Sequence, residues 1–320
     1  MKFLKIFGIS MSILFVILAI ALIAVVINHK KQLKIEAREY LQPGRMVEVN
    51  GKKFHVYVEG EGDLTLVFMS GHGTNNPTLD FKPLWTRMVE DYRIAVVERS
   101  GYGWSEPSNS PRDIDTLLEE TRQALNLAGV KSTYVLVPHS MSGLEAIYWT
   151  QKYPHEVKAI IGLDPCIPET YDILPEPEKG QLYAMYVISR TGLSRFMDDS
   201  EVENIFPLMK AEDLTEEEKQ EYLATFYRSA FSKDMLREVN YLKENAETVA
   251  DNAVPINTPM FFFISDGQEA SVDGWKGTLV DYLAEISDGV YTQLATDHYL
   301  HYDKSEVIAE QSKAFLESIE

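Results

Sequence analysis

The chain has 320 residues, of which 45% are hydrophobic and 25% are charged, so it can bury a large core. Its net charge of −19 excludes the basic surface that phosphate contacts in nucleic-acid binding require. Cys166 is the only cysteine, which excludes an intramolecular disulfide and a cysteine-based metal site.

The first predicted element is an N-terminal apolar helix. About 22 consecutive residues, 6–27, carry no charge, a length that spans the hydrocarbon core of a bilayer. A cleavable signal peptide has a shorter apolar region and a small-residue cleavage site beyond it, whereas the spaced alanines here lie inside the stretch. We therefore predict an uncleaved, single-pass transmembrane anchor over residues 1–29 and a charged juxtamembrane linker over residues 30–44.

Two opposing features bear on the membrane orientation of this predicted anchor. Two basic residues precede the apolar stretch and four follow it within residues 30–38, a count that favours a cytoplasmic C-terminal domain. A very short basic tail before an apolar run is also the layout of an export signal, which sends the following chain outward. We expect an extracytoplasmic domain, with the cytoplasmic orientation as the alternative.

Beyond residue 44, strands alternate with helices. Apolar and polar residues alternate on either side of Asn50-Gly51, over residues 46–49 and 53–59, which predicts a β-hairpin. The apolar runs that follow cover residues 64–69, 92–97, 133–137, 159–163, 260–264 and 290–294, and the helical patterns cover residues 115–128, 144–153, 275–286 and 305–319. This order predicts an α/β domain over residues 45–320, with a mostly parallel sheet that helices cover on both faces.

The alternation lapses between residues 167 and 254. Acidic helical patterns replace it over residues 176–188, 215–231 and 235–249, and Thr215 with Glu218 forms a capping-box pattern at the start of the second. We interpret this region as a helical cap inserted into the sheet domain. Because it begins directly after a strand, where ligands lie in open α/β folds, we expect it to cover a substrate.

The most informative motif lies where an apolar strand turns sharply into a helix, with Ser140 at the corner. This is the sequence form of a nucleophile elbow, commonly written G-x-S-x-G. Pro138 and Ser142 replace the two glycines; Ser142 is a mild change, whereas the fixed φ of Pro138 suits the turn less well. If Ser142 were the nucleophile, Leu144 would occupy a small position, so Ser140 is the better candidate. The alternative is a serine that only caps a buried helix.

Three further segments occur in an order that is known from one family. Residues 66–73 resemble a strand followed by an oxyanion loop with His-Gly, residues 97–105 resemble the Asp-Arg-x-Gly-x-Gly-x-Ser turn with Glu98 in the aspartate position, and residues 296–301 resemble a C-terminal histidine loop. From about residue 45 to its end, the chain therefore resembles the α/β-hydrolase superfamily, in particular its capped serine hydrolases of the proline-iminopeptidase and esterase kinds.

The resemblance implies nucleophilic catalysis with Ser140 as nucleophile and His298 as base, since the family's order is nucleophile, acid, histidine. It also implies an oxyanion hole made by two main-chain N–H groups, that of Met141 and that of His72 or a neighbour. His139 is expected to make a structural hydrogen bond, and His301 to cap or pack.

Two aspartates compete for the role of the triad acid. In most of the family the acid follows the strand after the cap, but Gln268 stands at that position here, with Asp266 two residues before it and Glu269 one after. Asp164 ends the strand before the cap, where certain haloalkane dehalogenases carry their acid. We slightly prefer Asp164 because it needs no shift in position; either carboxylate could instead cap a turn.

The resulting hypothesis is a membrane-anchored serine hydrolase that cleaves a small ester, thioester or amide with a catalytic triad and without a metal or organic cofactor. Ser140 excludes dehalogenase chemistry, which uses an aspartate nucleophile in this fold. The alternatives are an aminopeptidase of the proline-iminopeptidase type and a non-catalytic binding module. Candidates for an apolar acyl site are Leu182, Tyr183, Tyr186, Phe226 and Phe231, although such residues at helical spacing more often form core.

Overall fold

An eight-stranded sheet forms the centre of the computed structural model, which describes residues 2–40, 42–131, 133–211, 213–252, 254 and 256–319. Residue 1 of the predicted anchor and residue 41 of the predicted linker thus lie outside the described residues. The strands are β1 (Arg45–Val49), β2 (Lys52–Glu59), β3 (Thr65–Met69), β4 (Arg93–Val97), β5 (Tyr134–Pro138), β6 (Val157–Leu163), β7 (Met260–Ser265) and β8 (Gly289–Leu294). Their order across the sheet is β1-β2-β4-β3-β5-β6-β7-β8.

The sheet has the predicted mixed character. β1 and β2 pair antiparallel with each other, and β2 pairs antiparallel with β4, whereas all pairings from β4 to β8 are parallel. Asn50 and Gly51 both have positive φ, as a tight hairpin turn between β1 and β2 requires. The predicted α/β architecture is confirmed, with strand ends within two residues of those expected.

The chain forms α-helices along its whole length, and those of the sheet domain pack against both faces of the sheet. They are α1 (Lys2–Glu39), α2 (Pro77–Asp80), α3 (Lys82–Trp85), α4 (Ile114–Leu127), α5 (Ser142–Lys152), α6 (Thr170–Ile173), α7 (Lys179–Thr191), α8 (Asp199–Ile205), α9 (Glu216–Ser229), α10 (Lys233–Asp251), α11 (Asp266–Ser271), α12 (Trp275–Ala284) and α13 (Ser305–Ser318). Successive strand residues belong to different core clusters, because side chains alternate across a strand: Val67 packs in one cluster and Phe68 in the other.

The cap comprises α6 to α10 and lies between β6 and β7 in the chain. The capping box predicted for Thr215 and Glu218 is present at the start of α9, where both reciprocal hydrogen bonds form. The cap has its own small core, in which Leu208, Leu214 and Tyr222 pack against Leu79 of the sheet domain. This shared packing fixes the cap over one end of the sheet.

The N-terminal helix α1 is a single element of 38 residues, so residues 30–39, predicted as linker, continue it. By length and composition it can cross a membrane: its most apolar window has a mean hydropathy of 3.1, and none of that window is buried in the protein. The C-terminal end of α1 contacts α7 and α9 of the cap. The helix therefore runs directly into contact with the cap.

Candidate active site

Ser140 occupies a strained turn between β5 and α5. Its φ is +53°, in the left-handed region that residues other than glycine rarely adopt. Two main-chain hydrogen bonds hold this conformation: the Ser140 N–H donates to Leu163 O (3.3 Å), and the Cys166 N–H donates to Ser140 O (2.8 Å). The strained turn is the backbone conformation that a nucleophile elbow needs.

At this turn, the backbone after β6 comes closest to α5 at Gly143, not at Ser142. A Cβ atom on Gly143 would lie 2.2 Å from Cys166 O, so only glycine fits there without a shift of the backbone. Ser142 is fully buried, and its hydroxyl donates to Met69 O (2.7 Å). The Ser142 hydroxyl is thus committed to the fold, which agrees with the choice of Ser140 as candidate nucleophile.

The Asp164 carboxylate lies at the end of β6 and contacts His298. The distance between Asp164 Oδ2 and His298 Nδ1 is 2.8 Å. Trp275 Nε1–H donates to Oδ1 (2.8 Å), and Ser265 donates through its N–H to Oδ1 (3.2 Å) and through its hydroxyl to Oδ2 (2.5 Å). Asp164 is completely buried, while the His298 side chain is 23% exposed. The arrangement leaves Nε2 of His298 as the nitrogen available for proton transfer.

Asp266, the alternative acid, is not brought to His298. It is the first residue of α11, is exposed, and accepts a hydrogen bond from Gln293 Nε2. Glu269 is also engaged elsewhere, since its carboxylate accepts from the Lys276 N–H (2.6 Å). The physical reason is that Ser265 caps a helix that begins immediately after β7, which turns the following carboxylates away from the site.

His139 and His301 pack beside the candidate base. The His139 ring centroid lies 4.7 Å from that of His298 and 5.0 Å from that of His301. His139 Nε2–H donates to the His298 carbonyl oxygen (3.1 Å), which is the kind of structural hydrogen bond predicted for this residue. Burial lowers the pKa of His139 well below its ordinary value and that of His301 to about 3, with the neighbouring His298 acting in the same direction. Both rings are therefore neutral and support the histidine loop.

The loop after β3, which carries the candidate oxyanion donor His72, passes close to the elbow. A Cβ atom on Gly71 would lie 3.0 Å from Ser140 Cβ, so the loop backbone needs a glycine at this approach. Among the described residues, the main-chain N–H groups of His72 and Met141 donate to no protein acceptor. The ring of His72 donates from Nε2 to Met235 O in the cap (2.9 Å). The N–H groups of His72 and Met141 are thus free to donate to an oxyanion. Their role, like the roles of Ser140, His298 and Asp164, remains a prediction.

Comparison with known proteins assigns the chain to a family. Residues 68–186 match the alpha/beta hydrolase fold family. The uncharacterized protein YbdG of Bacillus subtilis (strain 168) is 40% identical over 261 residues, which cover 81% of this chain and 79% of YbdG. The chain belongs to the α/β-hydrolase superfamily. Membership supports an enzyme of the hydrolase type.

Solved structures of other α/β-hydrolases share the fold. An epoxide hydrolase from Vigna radiata superposes with a TM-score of 0.61 at 20% identity, over 86% of this chain and 97% of the other. A loop variant of the haloalkane dehalogenase DbeA from Bradyrhizobium elkanii superposes with a TM-score of 0.62 at 16% identity, over 86% and 96% of the two chains. At these identities the similarity describes the fold alone.

A pocket lies between the sheet domain and the cap. It has a volume of about 380 Å³ and is lined by His72, Ser140, Met141 and Cys166 from the sheet domain and by residues of α6, α7 and α10 from the cap. Of the five residues proposed for an acyl site, Leu182 lines this pocket, whereas Tyr183 is 62% exposed and Phe226 packs against Phe206. Among the residues that the structure describes, no group of three or more His, Cys, Asp or Glu side chains could hold a metal ion.

Cys166 is a pocket residue that sequence reasoning did not assign to the site. Burial raises the pKa of its thiol to about 12, against the effect of hydrogen bonds with Tyr171, Ser140 and Thr170. The thiol therefore stays protonated and forms a neutral wall next to the candidate nucleophile. Its position two residues after Asp164, in the turn that meets the elbow, is the signal that could have identified it.

Glu98 occupies the position of the family's aspartate and is also completely buried. It accepts hydrogen bonds from the Trp104 N–H (2.6 Å) and the Thr78 hydroxyl (3.2 Å), and its Oε2 lies 3.1 Å from His55 Nδ1. Burial is the largest single effect and lowers the pKa of His55, but the charge and hydrogen bond of Glu98, together with the hydrogen bond to Pro43 O, raise the pKa overall. Glu98 thus joins the β2 hairpin strand to the turn after β4, in a structural role.

Proposed function

We propose that the chain is a membrane-anchored serine hydrolase that cleaves a carboxylic ester, thioester or amide through an acyl-enzyme on Ser140. The proposal rests mainly on the contact between Asp164 and His298: the buried Asp164 carboxylate lies 2.8 Å from His298 Nδ1. Asp164 ends β6, and the neighbouring strand β5 ends at the strained Ser140 turn. A buried carboxylate bonded to Nδ1 of a histidine, at the strand end next to a nucleophile elbow, fits the orienting pair of a triad. A purely structural serine would not need the strained turn.

In the proposed mechanism, Nε2 of His298 removes the Ser140 hydroxyl proton while Ser140 Oγ bonds to the substrate carbonyl carbon. The carbonyl oxygen becomes an oxyanion, to which the N–H groups of Met141 and His72 donate. The Asp164 carboxylate accepts from His298 Nδ1–H and stabilises the imidazolium. The imidazolium then protonates the leaving alcohol, thiol or amine. A water molecule, deprotonated by His298, releases the acid and restores Ser140.

The apolar side chains on the cap side of the pocket favour an apolar acyl group. Its cap side carries Leu174, Leu182 and Val239, together with Tyr171. An aminopeptidase would need a carboxylate in the pocket to bind the substrate's ammonium group. Among the described residues, the carboxylate that lines the pocket is that of Glu176, which is exposed and pairs with Lys243 (2.6 Å). We therefore place ester, thioester or simple amide hydrolysis ahead of the aminopeptidase alternative.

The proposed membrane attachment rests on α1. Its apolar window is long enough to span a bilayer and is not covered by the protein, which argues against a core helix. We propose a single membrane pass with the hydrolase domain on the extracytoplasmic side. The full-length protein should remain in the membrane fraction after an alkaline carbonate wash and keep its full mass. Release by the wash, or a product that begins within residues 19–30, would contradict the anchor.

The proposed activity can be tested with the detergent-solubilised full chain and p-nitrophenyl esters of two to twelve acyl carbons. Ser140→Ala should abolish turnover, because it removes the atom that forms the acyl-enzyme. Ser142→Ala is the matched control: it removes the neighbouring hydroxyl, which only bonds to main-chain oxygens, and should retain turnover. Loss of activity in Ser142→Ala alone would show that the nucleophile is misassigned. Absence of turnover in the folded wild type on esters, thioesters and amides alike would favour the non-catalytic binding module.

A further inference from the structure

The C-terminal part of α1 packs against the turn that follows α7 in the cap. His29 is buried there, and Arg195 Nε donates to His29 Nδ1 (2.9 Å). The Arg195 guanidinium also binds both oxygens of Glu36 (2.6 and 2.8 Å). A Cβ atom on Gly192 would lie 2.4 Å from His29 Cβ, and the φ of Gly192 is +81°. The contact therefore requires this glycine and fixes the turn after α7 to α1.

This contact lies at the end of the apolar stretch. His29 follows residue 27 by two positions, which at a rise of about 1.5 Å per residue is about 3 Å along the helix axis. If α1 spans a bilayer, as the proposed function holds, the turn of residues 192–196 lies at the level where the hydrocarbon core meets the lipid headgroups. The inference below rests on that part of the proposed function.

The cap presents apolar side chains to solvent at this level. Phe196 is 73% exposed and Leu193 is 41% exposed in the docked turn, and the outer side of α7 adds Tyr183, Val187 and Ile188. We name these five residues the apolar cap face. The solvent side of a helix in a soluble protein is normally polar, so an apolar solvent side marks a surface that contacts something else. The opposite side of α7 carries Leu182, which lines the substrate pocket.

Charge and residue type identify what the face contacts. The exposed side chains of Lys30, Lys31 and Lys34 follow the apolar stretch on α1, in a protein whose net charge is −19. A local cluster of lysines at this position suits lipid phosphates, and aromatic side chains such as Tyr183 and Phe196 suit the boundary between headgroups and acyl chains. A polar protein partner would explain neither the lysines nor the alignment with α1.

We propose that the apolar cap face lies in the interfacial layer of the same bilayer that α1 spans. The cap is thereby held between lipid and sheet domain. Helix α7 separates the lipid surface on its outer side from the substrate pocket on its inner side. The hydrolase would thus work with its cap seated on the membrane rather than extended into water on a tether.

The test uses single cysteines in the full-length chain, because the buried Cys166 thiol should not react and the unsubstituted chain serves as the labelling blank. Phe196→Cys and Ile188→Cys probe the apolar cap face. Val290→Cys is the matched control, since Val290 is about as exposed as Ile188 (45% and 42%) but lies on the edge strand β8. Each variant carries an environment-sensitive fluorophore and is reconstituted into vesicles of phosphatidylcholine and phosphatidylglycerol.

We expect nitroxide-labelled lipid to quench the probes at 196 and 188 several-fold more than the probe at 290, and aqueous iodide to show the reverse order. Equal lipid quenching at all three positions would overturn the proposal, and so would failure of the chain to float with the vesicles. The measurement does not depend on catalysis and can be repeated on Ser140→Ala. Failure of the proposed hydrolysis would therefore leave the quenching unchanged, while failure of the proposed surface would leave ester turnover unchanged.

Discussion

Both oxygens of the Asp164 carboxylate accept hydrogen bonds. These bonds determine how a substitution of Asp164 should affect catalysis. One of the four hydrogen bonds comes from His298 Nδ1–H, and the other three come from Trp275 and Ser265. An asparagine at this position retains the size of the side chain but can present an N–H to the histidine. The imidazole would then be held in the wrong tautomer for proton transfer.

We accordingly expect Asp164→Asn to lower kcat by on the order of 10⁴-fold. Asp266→Asn should leave kcat within a few-fold, because the Asp266 side chain is exposed and bonded to Gln293. The measurement is kcat for both variants on one ester, with thermal melts to show that each is folded. A severe loss confined to Asp266→Asn would overturn the assignment of the acid.

A second aspartate, Asp80, has a buried carboxyl group that joins the cap to the histidine loop. It accepts hydrogen bonds from Tyr222 of α9 (3.2 Å) and from Tyr302 (2.7 Å). Burial raises the pKa of Asp80 to about 7, against the lowering effect of the two tyrosine hydroxyls. The folded state therefore binds this proton more tightly than the unfolded state, and stability falls as pH rises from about 4 to about 7.

Asp80→Asn should remove this pH dependence, because it removes the titrating group. Because the pKa of Asp80 rises from 3.8 to about 7 on folding, the variant should exceed the wild type in free energy of unfolding by about 4 kcal/mol at pH 8 and match it near pH 4. Denaturant unfolding at both pH values checks this, with the exposed Asp63→Asn as control. A difference between Asp80→Asn and wild type that stays constant with pH would contradict the expected titration.

At the scale of elements, the sequence predicts the buried parallel strands and the long helices well, because their apolar patterns extend over a whole element. It does not predict α2, α3, α6, α8 or α11, which have at most seven residues and too few turns to show a period. The omission of α11 matters most, since this helix directs Asp266 away from His298. The two possible acids could be separated only once that helix was known.

The elbow gives a second example of what the sequence leaves open. The pattern G-x-S-x-G directs attention to Ser142, whereas the close contact falls one residue later, between Gly143 and Cys166 O. That contact joins α5 to the turn after β6. Two segments distant in sequence create it, so no local pattern of residues reveals it.

Gly143→Ala should therefore destabilise the elbow strongly for so small a change. The added methyl would lie 2.2 Å from Cys166 O, and the resulting strain should lower the free energy of unfolding by about 3 kcal/mol. Gly277→Ala in α12 is the control, since its Cβ would meet nothing within 4 Å and should stabilise by up to about 1 kcal/mol. Equal stability of the two variants in denaturant unfolding would show that the backbone relaxes around the contact.

In the whole molecule, the sheet domain and the cap enclose one pocket, and α1 contacts the cap. The sheet domain supplies Ser140, Asp164 and His298, the cap covers them, and α1 fixes the cap through the Arg195 contacts. The proposed membrane anchor and the proposed substrate pocket are thus connected through α7 rather than through a flexible linker. The proposed hydrolysis depends on one atom of this site, the Ser140 hydroxyl oxygen.

The most direct test is to locate the covalent adduct that a fluorophosphonate forms with the full-length protein. An activated serine reacts with this reagent, whereas a serine that only caps a helix does not. We expect one adduct per chain by intact mass, located on Ser140 by peptide mapping and absent from Ser140→Ala. An adduct on another residue, or none on the folded wild-type protein, would contradict this expectation.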